Sequence, residues 1–538
     1  MAENSADVLI VDGYVDEPGL LGVPPYIAPE IRKLAGVCRL NDLKFQYFTA
    51  DEAREQDLPE TDLTLLYGGV TVPGNYLGGQ PLSPEEAKKI CRRRPETLLG
   101  GPLAANSHLQ NHPLKTKGDL AAYFSDYLKK EEQKDREPQP EELQRWLVAG
   151  APVAAEHPDH PDTVLAEISL YHGCVRYFSG GCRFCSEPAY GRPRFRRTED
   201  VIAEVQALYR KGVRHFRLGG QSCIISYGTE GLGETETPRP NPKKIEELLA
   251  GINRTCPEIK VLHVDNANPA VMAAHPRPSK EILQLLVGGT TAGNILALGL
   301  ESADPAVIRQ NNLNSTPEET KKAVAMINRA GRERGENGMP RLLPGINFLA
   351  GLKGETDQTF RLNLEFLQEL LAAGHWLRRI NIRQVLSHRE DFTTVNRRKF
   401  KEFKKEVREK IDRPLLKKMF PPGTVLKDVY MEKKEGRNSF GRQVGTYPLL
   451  VGVNYELELD TFYDIKVTDH GYRSITGVEN PLKFSDASVK QLEAIPGIGS
   501  KRARKLFLQQ PKNAEDLEDI INDPEVVQTA RNYLSFTQ

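Results

Sequence analysis

Short apolar runs recur through the first hundred residues with room for one helix between each pair: VLIVDG (8–13), LKFQYF (43–48), LTLLYGG (63–69) and TLLGGP (97–102). This rhythm predicts an open, mostly parallel, Rossmann-like α/β sheet over residues 1–150. Glycines gather where the strands end, at Gly68, Gly69, Gly74, Gly78 and Gly79, and again at Gly100 and Gly101. In such sheets ligands bind outside the carboxyl ends of the strands, so these loops are the expected binding edge. The stretch KKEEQKDREPQPEE (129–142) is charged and poor in apolar residues, and reads as a solvated connection at a domain boundary.

Beyond it the rhythm resumes. EISLY (167–171), HFRLGG (215–220), KVLHVDN (260–266), NILALGLE (294–301), GINFLAGL (345–352) and RINIRQV (379–385) alternate with amphipathic stretches. Six such units predict a central partial (β/α)6 TIM-type barrel over residues 160–395, with chemistry at the carboxyl ends of its strands. A basic helical stretch (397–411) follows, then runs rich in β-branched and aromatic residues that predict a small β domain over 415–480. The end, 485–538, reads as a helical hairpin containing AIPGIGSKRARKL (494–506).

With 538 residues the chain is long enough for two to four domains, each with its own core. Lys plus Arg and Asp plus Glu both number 73, so no global field attracts nucleic acid or an anionic membrane, and any such partner needs a local patch. The N-terminus lacks the basic start and apolar stretch of a secretory signal, and no window approaches a membrane span, so a soluble, cytoplasmic protein without a membrane partner is expected. Seven cysteines, an odd number with three inside twelve positions, suit a metal or cluster site better than a disulfide framework.

Those three lie in GCVRYFSGGCRFCSEPAYG. Seven residues separate Cys174 from Cys182, and two separate Cys182 from Cys185. A CxxC pair with a third nearby thiolate suits iron–sulfur or zinc. A structural zinc would need a fourth ligand, for which His172 and the distant Cys223 are the candidates.

The triad follows the first strand of a (β/α)6 pattern, and Phe184 fills the aromatic position of Cys-x-aromatic-Cys. This resembles the radical SAM superfamily, whose common motif spaces its cysteines by three and two; the first gap here is seven. After the second strand, Gly219, Gly220 and Gln221 resemble the motif that holds the methionine amino group of S-adenosylmethionine. Glu301 and Ser302, closing the fourth strand, resemble the pair that approaches the ribose and amino acid moieties. Phe348–Thr356, with Gly351 and Glu355, is similar to the adenine-contacting strand and its following turn. The resemblance implies a [4Fe–4S] cluster on Cys174, Cys182 and Cys185, and reductive cleavage of S-adenosylmethionine to a deoxyadenosyl radical. His263, Asp265, Asn266 and Asn268 on the third strand are expected at the barrel mouth, as ligand contacts or as hydrogen-bonded lining. No catalytic acid or base is assigned.

TLLGGPLAA resembles the turn of cobalamin-binding domains that precede radical SAM barrels, which implies Gly68, Gly69, Gly100 and Gly101 at a corrinoid, with Tyr67 and Tyr76 near that edge. No Asp-x-His-x-x-Gly is present, so no histidine would reach the cobalt. The alternative is a purely structural domain; Cys38 and Cys91 fall short of the three cysteines that methylthiotransferases carry there. IPGIGSK (495–501) resembles a helix-hairpin-helix, whose turn offers N–H groups to phosphate, with Lys501, Arg502, Arg504 and Lys505 adding charge; protein docking is the other use.

Taken together, the chain is similar to an archaeal cobalamin-dependent radical SAM family with a C-terminal helix-hairpin-helix, to which the glutamine C-methyltransferase of methyl-coenzyme M reductase is related. That implies a protein substrate, the reductase α subunit, and a small electron donor such as ferredoxin or flavodoxin. The alternative is a tRNA-modifying radical SAM enzyme, a methylthiotransferase or methyltransferase, with nucleic acid bound through the hairpin.

Overall fold

A computed structural model describes residues 6–14, 26–69, 79–132, 135–385, 392 and 395–536. The N-terminal strands are β1 (Val8–Asp12), β2 (Tyr26–Ile27), β3 (Phe45–Thr49), β4 (Leu63–Tyr67) and β5 (Thr97–Gly100). Four of them form a parallel sheet in the order β3-β1-β4-β5. β1 is central and buried on both faces, which is why it reads as a continuous apolar run. Val8 and Ile10 pack with Ile31 and Leu34 of the helix Pro29–Leu40, while Leu9 and Val11 point the other way, toward Ala87 and Cys91 of the helix Pro84–Arg93.

The central strands are β6 (Leu165–Ser169), β7 (His215–Gly219), β8 (Val261–Val264), β9 (Asn294–Glu301), β10 (Leu342–Ala350) and β11 (Ile380–Gln384). They run parallel in two arcs, β8-β7-β6 and β9-β10-β11, joined by a bridge between Ala267 and Leu298. β2 adds a further parallel strand at the β6 edge, Tyr26 pairing with Leu165 and Ile27 with Ala166. Two residues carry no periodicity, and the sequence pattern passes over this strand.

The small β unit is a closed barrel: β12 (Val425–Glu435), β13 (Asn438–Gln443), β14 (Leu450–Val453), β15 (Thr461–His470) and β16 (Ser474–Glu479), ordered β12-β13-β14-β16-β15. Closure leaves no open edge. The tail helices Val489–Glu493 and Ser500–Gln509 flank the hairpin turn, and the later Tyr533 donates its hydroxyl to Val467 O at 2.5 Å, which ties the tail to this barrel.

The charged stretch 129–142 is solvated as expected, with no described residue of it buried, but it does not hang free: Arg136 bridges Asp126 (2.8 Å) and Glu142 (2.7 Å), and the helix Pro140–Gly150 turns back onto the helix Pro29–Leu40. The two helices touch backbone to backbone; a Cβ on Gly150 would lie 1.7 Å from Arg32 O, and one on Gly36 2.0 Å from Trp146 O. Nor does each unit have a separate core. One apolar cluster runs from Ile10 and Ile31 through Ala166 and Phe216 to Val429 and Leu506, because the surfaces between units are themselves apolar and sealed. Among the described residues no helix is long and apolar enough to cross a membrane.

Candidate functional site

The loop after β6 carries all three candidate cysteines. Its seven-residue gap is one 3-10 turn, Tyr177–Ser179, closed by Gly180 at φ 80, a left-handed conformation that glycine adopts without steric cost. Within the gap Arg176, 3% exposed, donates through Nη1 to Cys182 Sγ at 3.4 Å and to Asn312 O at 2.9 Å, while its backbone N–H reaches Cys174 Sγ at 3.5 Å. Burial pushes the Cys182 thiol up to about 12 against the pull of Arg176, and the Cys185 thiol up to about 11, so stable thiolates there need a metal partner.

Cys174, Cys182, Phe184 and Cys185 line one end of a cavity of about 550 Å³ that occupies the barrel interior. Among the described residues no three His, Cys, Asp or Glu side chains converge as a single ion requires. All three cysteines line the same cavity, which supplies the three soft donors that an iron–sulfur cluster takes. The proposed zinc partners are otherwise engaged: His172 packs on Tyr190 with ring centroids 5.5 Å apart, and the buried Cys223 Sγ accepts the Asn268 N–H at 3.2 Å.

Gly220 and Gln221 line the cavity wall at the end of β7. Gln221 is buried; its Nε2 donates to Leu218 O at 2.8 Å, and its Oε1 has no partner among the described residues. Asp265, fully buried on the same wall, gives Oδ2 to Arg217, and its Oδ1 has no hydrogen bond among the described residues. Gln221 Oε1 and Asp265 Oδ1 are thus buried acceptors without a hydrogen bond among the described residues, in two residues that line the cavity. Glu301 also faces it from β9, where a bulge follows Gly299 and the glutamate backbone sits at φ 65.

Residues 168–367 match the sequence profile of the radical SAM superfamily. The chain belongs to that superfamily. It is 41% identical over 529 residues to an uncharacterised protein of Archaeoglobus fulgidus, covering 95% of this chain and 97% of the relative. An uncharacterised protein of Methanocaldococcus jannaschii is 42% identical over 503 residues, covering 87% and 92%. Among solved structures, the radical S-adenosylmethionine methyltransferase TsrM from Kitasatospora setae, with cobalamin and a [4Fe–4S] cluster bound, is 14% identical over 70% of this chain and 72% of that one, with a TM-score of 0.46.

A [4Fe–4S] cluster and S-adenosylmethionine are the cofactors that the radical SAM domain implies, and the donor set fits them: three soft thiols and the polar side chains of Gln221 and Glu301 line one cavity. Other candidates lie elsewhere. Gly219 ends β7 where a Cβ would meet Glu167 Oε1 at 2.4 Å. Ser302 is fully buried behind the wall, its Oγ accepting the Asp304 N–H at 3.2 Å. Gly351 donates its N–H to Glu355 Oε2 at 2.9 Å, closing a turn away from the cavity; burial raises Glu355 to about 7. On β10 the cavity-lining residues are Asn347 and Leu349. Asn266 and Asn268 line the cavity as expected, but His263 does not; it lies buried beneath, accepting the Thr446 N–H at 3.2 Å.

The N-terminal glycines are crowded by their own chain. A Cβ on Gly68 would lie 2.5 Å from Leu103, on Gly69 2.2 Å from Gly13 O, on Gly100 2.6 Å from Leu120, and on Gly101 2.8 Å from Gly68 O. Each of the four is thus held to glycine by its own chain. Tyr67 is described at this edge; Tyr76, Gly74 and Gly78 lie outside the described residues.

Sequence reasoning missed Arg176, Arg217, Arg379, Arg383 and Tyr447, all cavity-lining. A signal was present for some: a polar residue at an inward position of an otherwise apolar strand, as with Arg217 in HFRLGG and Asn381 in RINIRQ. Tyr447 offered none.

Proposed function

We propose that this chain is a cobalamin-dependent radical SAM methyltransferase acting on an unactivated carbon, with a glutamine of the methyl-coenzyme M reductase α subunit as its substrate. The observation that carries the radical step is the single cavity lined by Cys174, Cys182 and Cys185 together with Gly220, Gln221 and Glu301. When bound, the cluster and S-adenosylmethionine supply radical chemistry able to remove hydrogen from such a carbon, an electron donor such as ferredoxin or flavodoxin reduces the cluster, and cobalamin carries the methyl group.

The chain's own residues do the rest. Cys174, Cys182 and Cys185 would hold the cluster. Arg176 offsets negative charge at the sulfurs. Gln221, Glu301 and Asp265 would offer acceptors to the amino and hydroxyl groups of S-adenosylmethionine, and Phe184 with Leu349 would give apolar walls that exclude water. The cobalamin part rests on the family resemblance. No residue role at a corrinoid is derived.

A second reading, tRNA modification, is favoured by the helix-hairpin-helix turn, where Gly497 sits at φ 81 between its two helices. Two of the four basic residues there are structural: Arg502 donates to Gly497 O at 2.9 Å and Lys505 to Ile520 O at 2.9 Å. A second cluster of the methylthiotransferase kind lacks its ligands, because Cys38 and Cys91 are buried in cores on opposite faces of the sheet.

The test is anaerobic reconstitution of the full chain, assayed for corrinoid content and for methylation of unmodified reductase. About one corrinoid per chain and a methylated glutamine peptide are expected. A second iron–sulfur cluster, or methylthiolated tRNA in place of methylated peptide, overturns the reading.

A further inference from the structure

The barrel cavity continues past the cofactor-facing wall to the amino-terminal end of the strands, where the small β barrel closes it. The loop between β13 and β14 enters from below. Thr446 caps His263, and Arg378 Nη2 donates to Pro448 O at 2.9 Å, which pins the loop to the start of β11. Tyr447, between these anchors, stands in the cavity. The Arg379 guanidinium carbon lies 3.5 Å from the Tyr447 ring centroid, and that of Arg217 5.8 Å from the same ring.

The two arginines differ in what they face. Arg217 is paired with Asp265. Arg379 lines the cavity, half-buried, and makes no ion pair among the described residues. Its backbone sits at φ 72, which a non-glycine residue adopts only where its surroundings impose it. Beside it on the wall, Asn381 donates to Asn347 Oδ1 at 3.3 Å and accepts from Arg383 Nε at 3.2 Å. Of the cavity carboxylates, Asp265 is held by Arg217, Glu187 accepts the Gly173 N–H at 2.9 Å, Glu301 stands at the opposite, carboxyl end of the barrel, and Glu167 lies on β6 beside Gly219.

We propose that this floor binds an anionic group of the substrate other than the glutamine amide, a carboxylate or a phosphate, through the Arg379 guanidinium seated over the Tyr447 ring. Stacking uses the face of the guanidinium and leaves its N–H edge free for two parallel hydrogen bonds to an oxyanion. The small β barrel is then part of the substrate site, because it supplies the ring on which the cation is oriented. The proposal rests on the cavity being the reaction chamber.

Isothermal titration of the full chain with glutarate, inorganic phosphate and the neutral glutaramide tests it, with S-adenosylmethionine titrated separately into the reconstituted protein. Glutarate or phosphate is expected to bind, glutaramide is not, and Arg379→Gln weakens the bound anion about tenfold or more. The anion that binds tells carboxylate from phosphate. Tyr447→Leu, which keeps the charge but removes the ring, weakens it as well and serves if Arg379→Gln fails to fold. No binding of either anion, equal binding by both variants, or glutaramide binding as well as glutarate overturns the proposal. Failure of wild type to bind S-adenosylmethionine instead overturns the reading of the cavity itself.

Discussion

Arg32, on the first helix, ends 2.5 Å from Glu204 on the barrel helix Thr198–Tyr209, with both side chains sealed from solvent. Arg32 also donates to Ile27 O on β2 and to Glu167 O on β6, and Glu204 takes a second guanidinium from Arg196 at 2.7 Å. Although burial works against charge at Glu204, Arg196 and Arg32 hold its carboxyl below the usual carboxylate range. This cluster locks the N-terminal unit to the barrel. Removing one partner of a buried pair leaves an uncompensated charge, so Arg32→Met should cost about 3–5 kcal/mol in chemical denaturation. Adding Glu204→Gln to it should recover part of that loss.

Cys182→Ala should drop iron from about four per reconstituted chain to near zero and abolish deoxyadenosine formation. Arg176→Met should keep the iron but shift the cluster potential negative in redox titration, since it removes a cation and a hydrogen bond from a ligating sulfur.

Gln221→Leu keeps the wall filled and removes the one unpartnered acceptor on that side chain. S-adenosylmethionine binding should weaken about tenfold in equilibrium titration, with iron content unchanged.

Asp12, buried at the end of β1, accepts from Tyr14 N and Tyr47 OH, yet burial raises its pKa from 3.8 to about 6. A carboxyl with a raised folded value binds its proton more tightly folded than unfolded. Its stabilising contribution is therefore full below about pH 4 and is lost as pH rises through about 6. Asp12→Asn, neutral throughout, should exceed wild type by up to ~3 kcal/mol at pH 8, with the gap closing below about pH 4 in denaturation of the apoprotein.

The strand rhythm, the glycines at strand ends and the cysteine triad were legible in the sequence because each is local: side-chain alternation, turn geometry and ligand spacing are written in neighbouring residues. Even within the motifs, local reading had limits. Ser302, Gly351 and Glu355 lie in the expected segments, yet strand direction and turn closure turn them from the cavity, while Asn347 and Leu349 face it.

The chain alone thus determined a barrel with a thiol triad after its first strand. Only the tertiary structure decided that β2 joins that barrel, that Arg32 reaches Glu204 across 172 positions, and that Tyr447 from the small β barrel floors the cavity beneath Arg379. These contacts join residues far apart in sequence, and their energy comes from packing and desolvation between surfaces that meet only once the chain has folded.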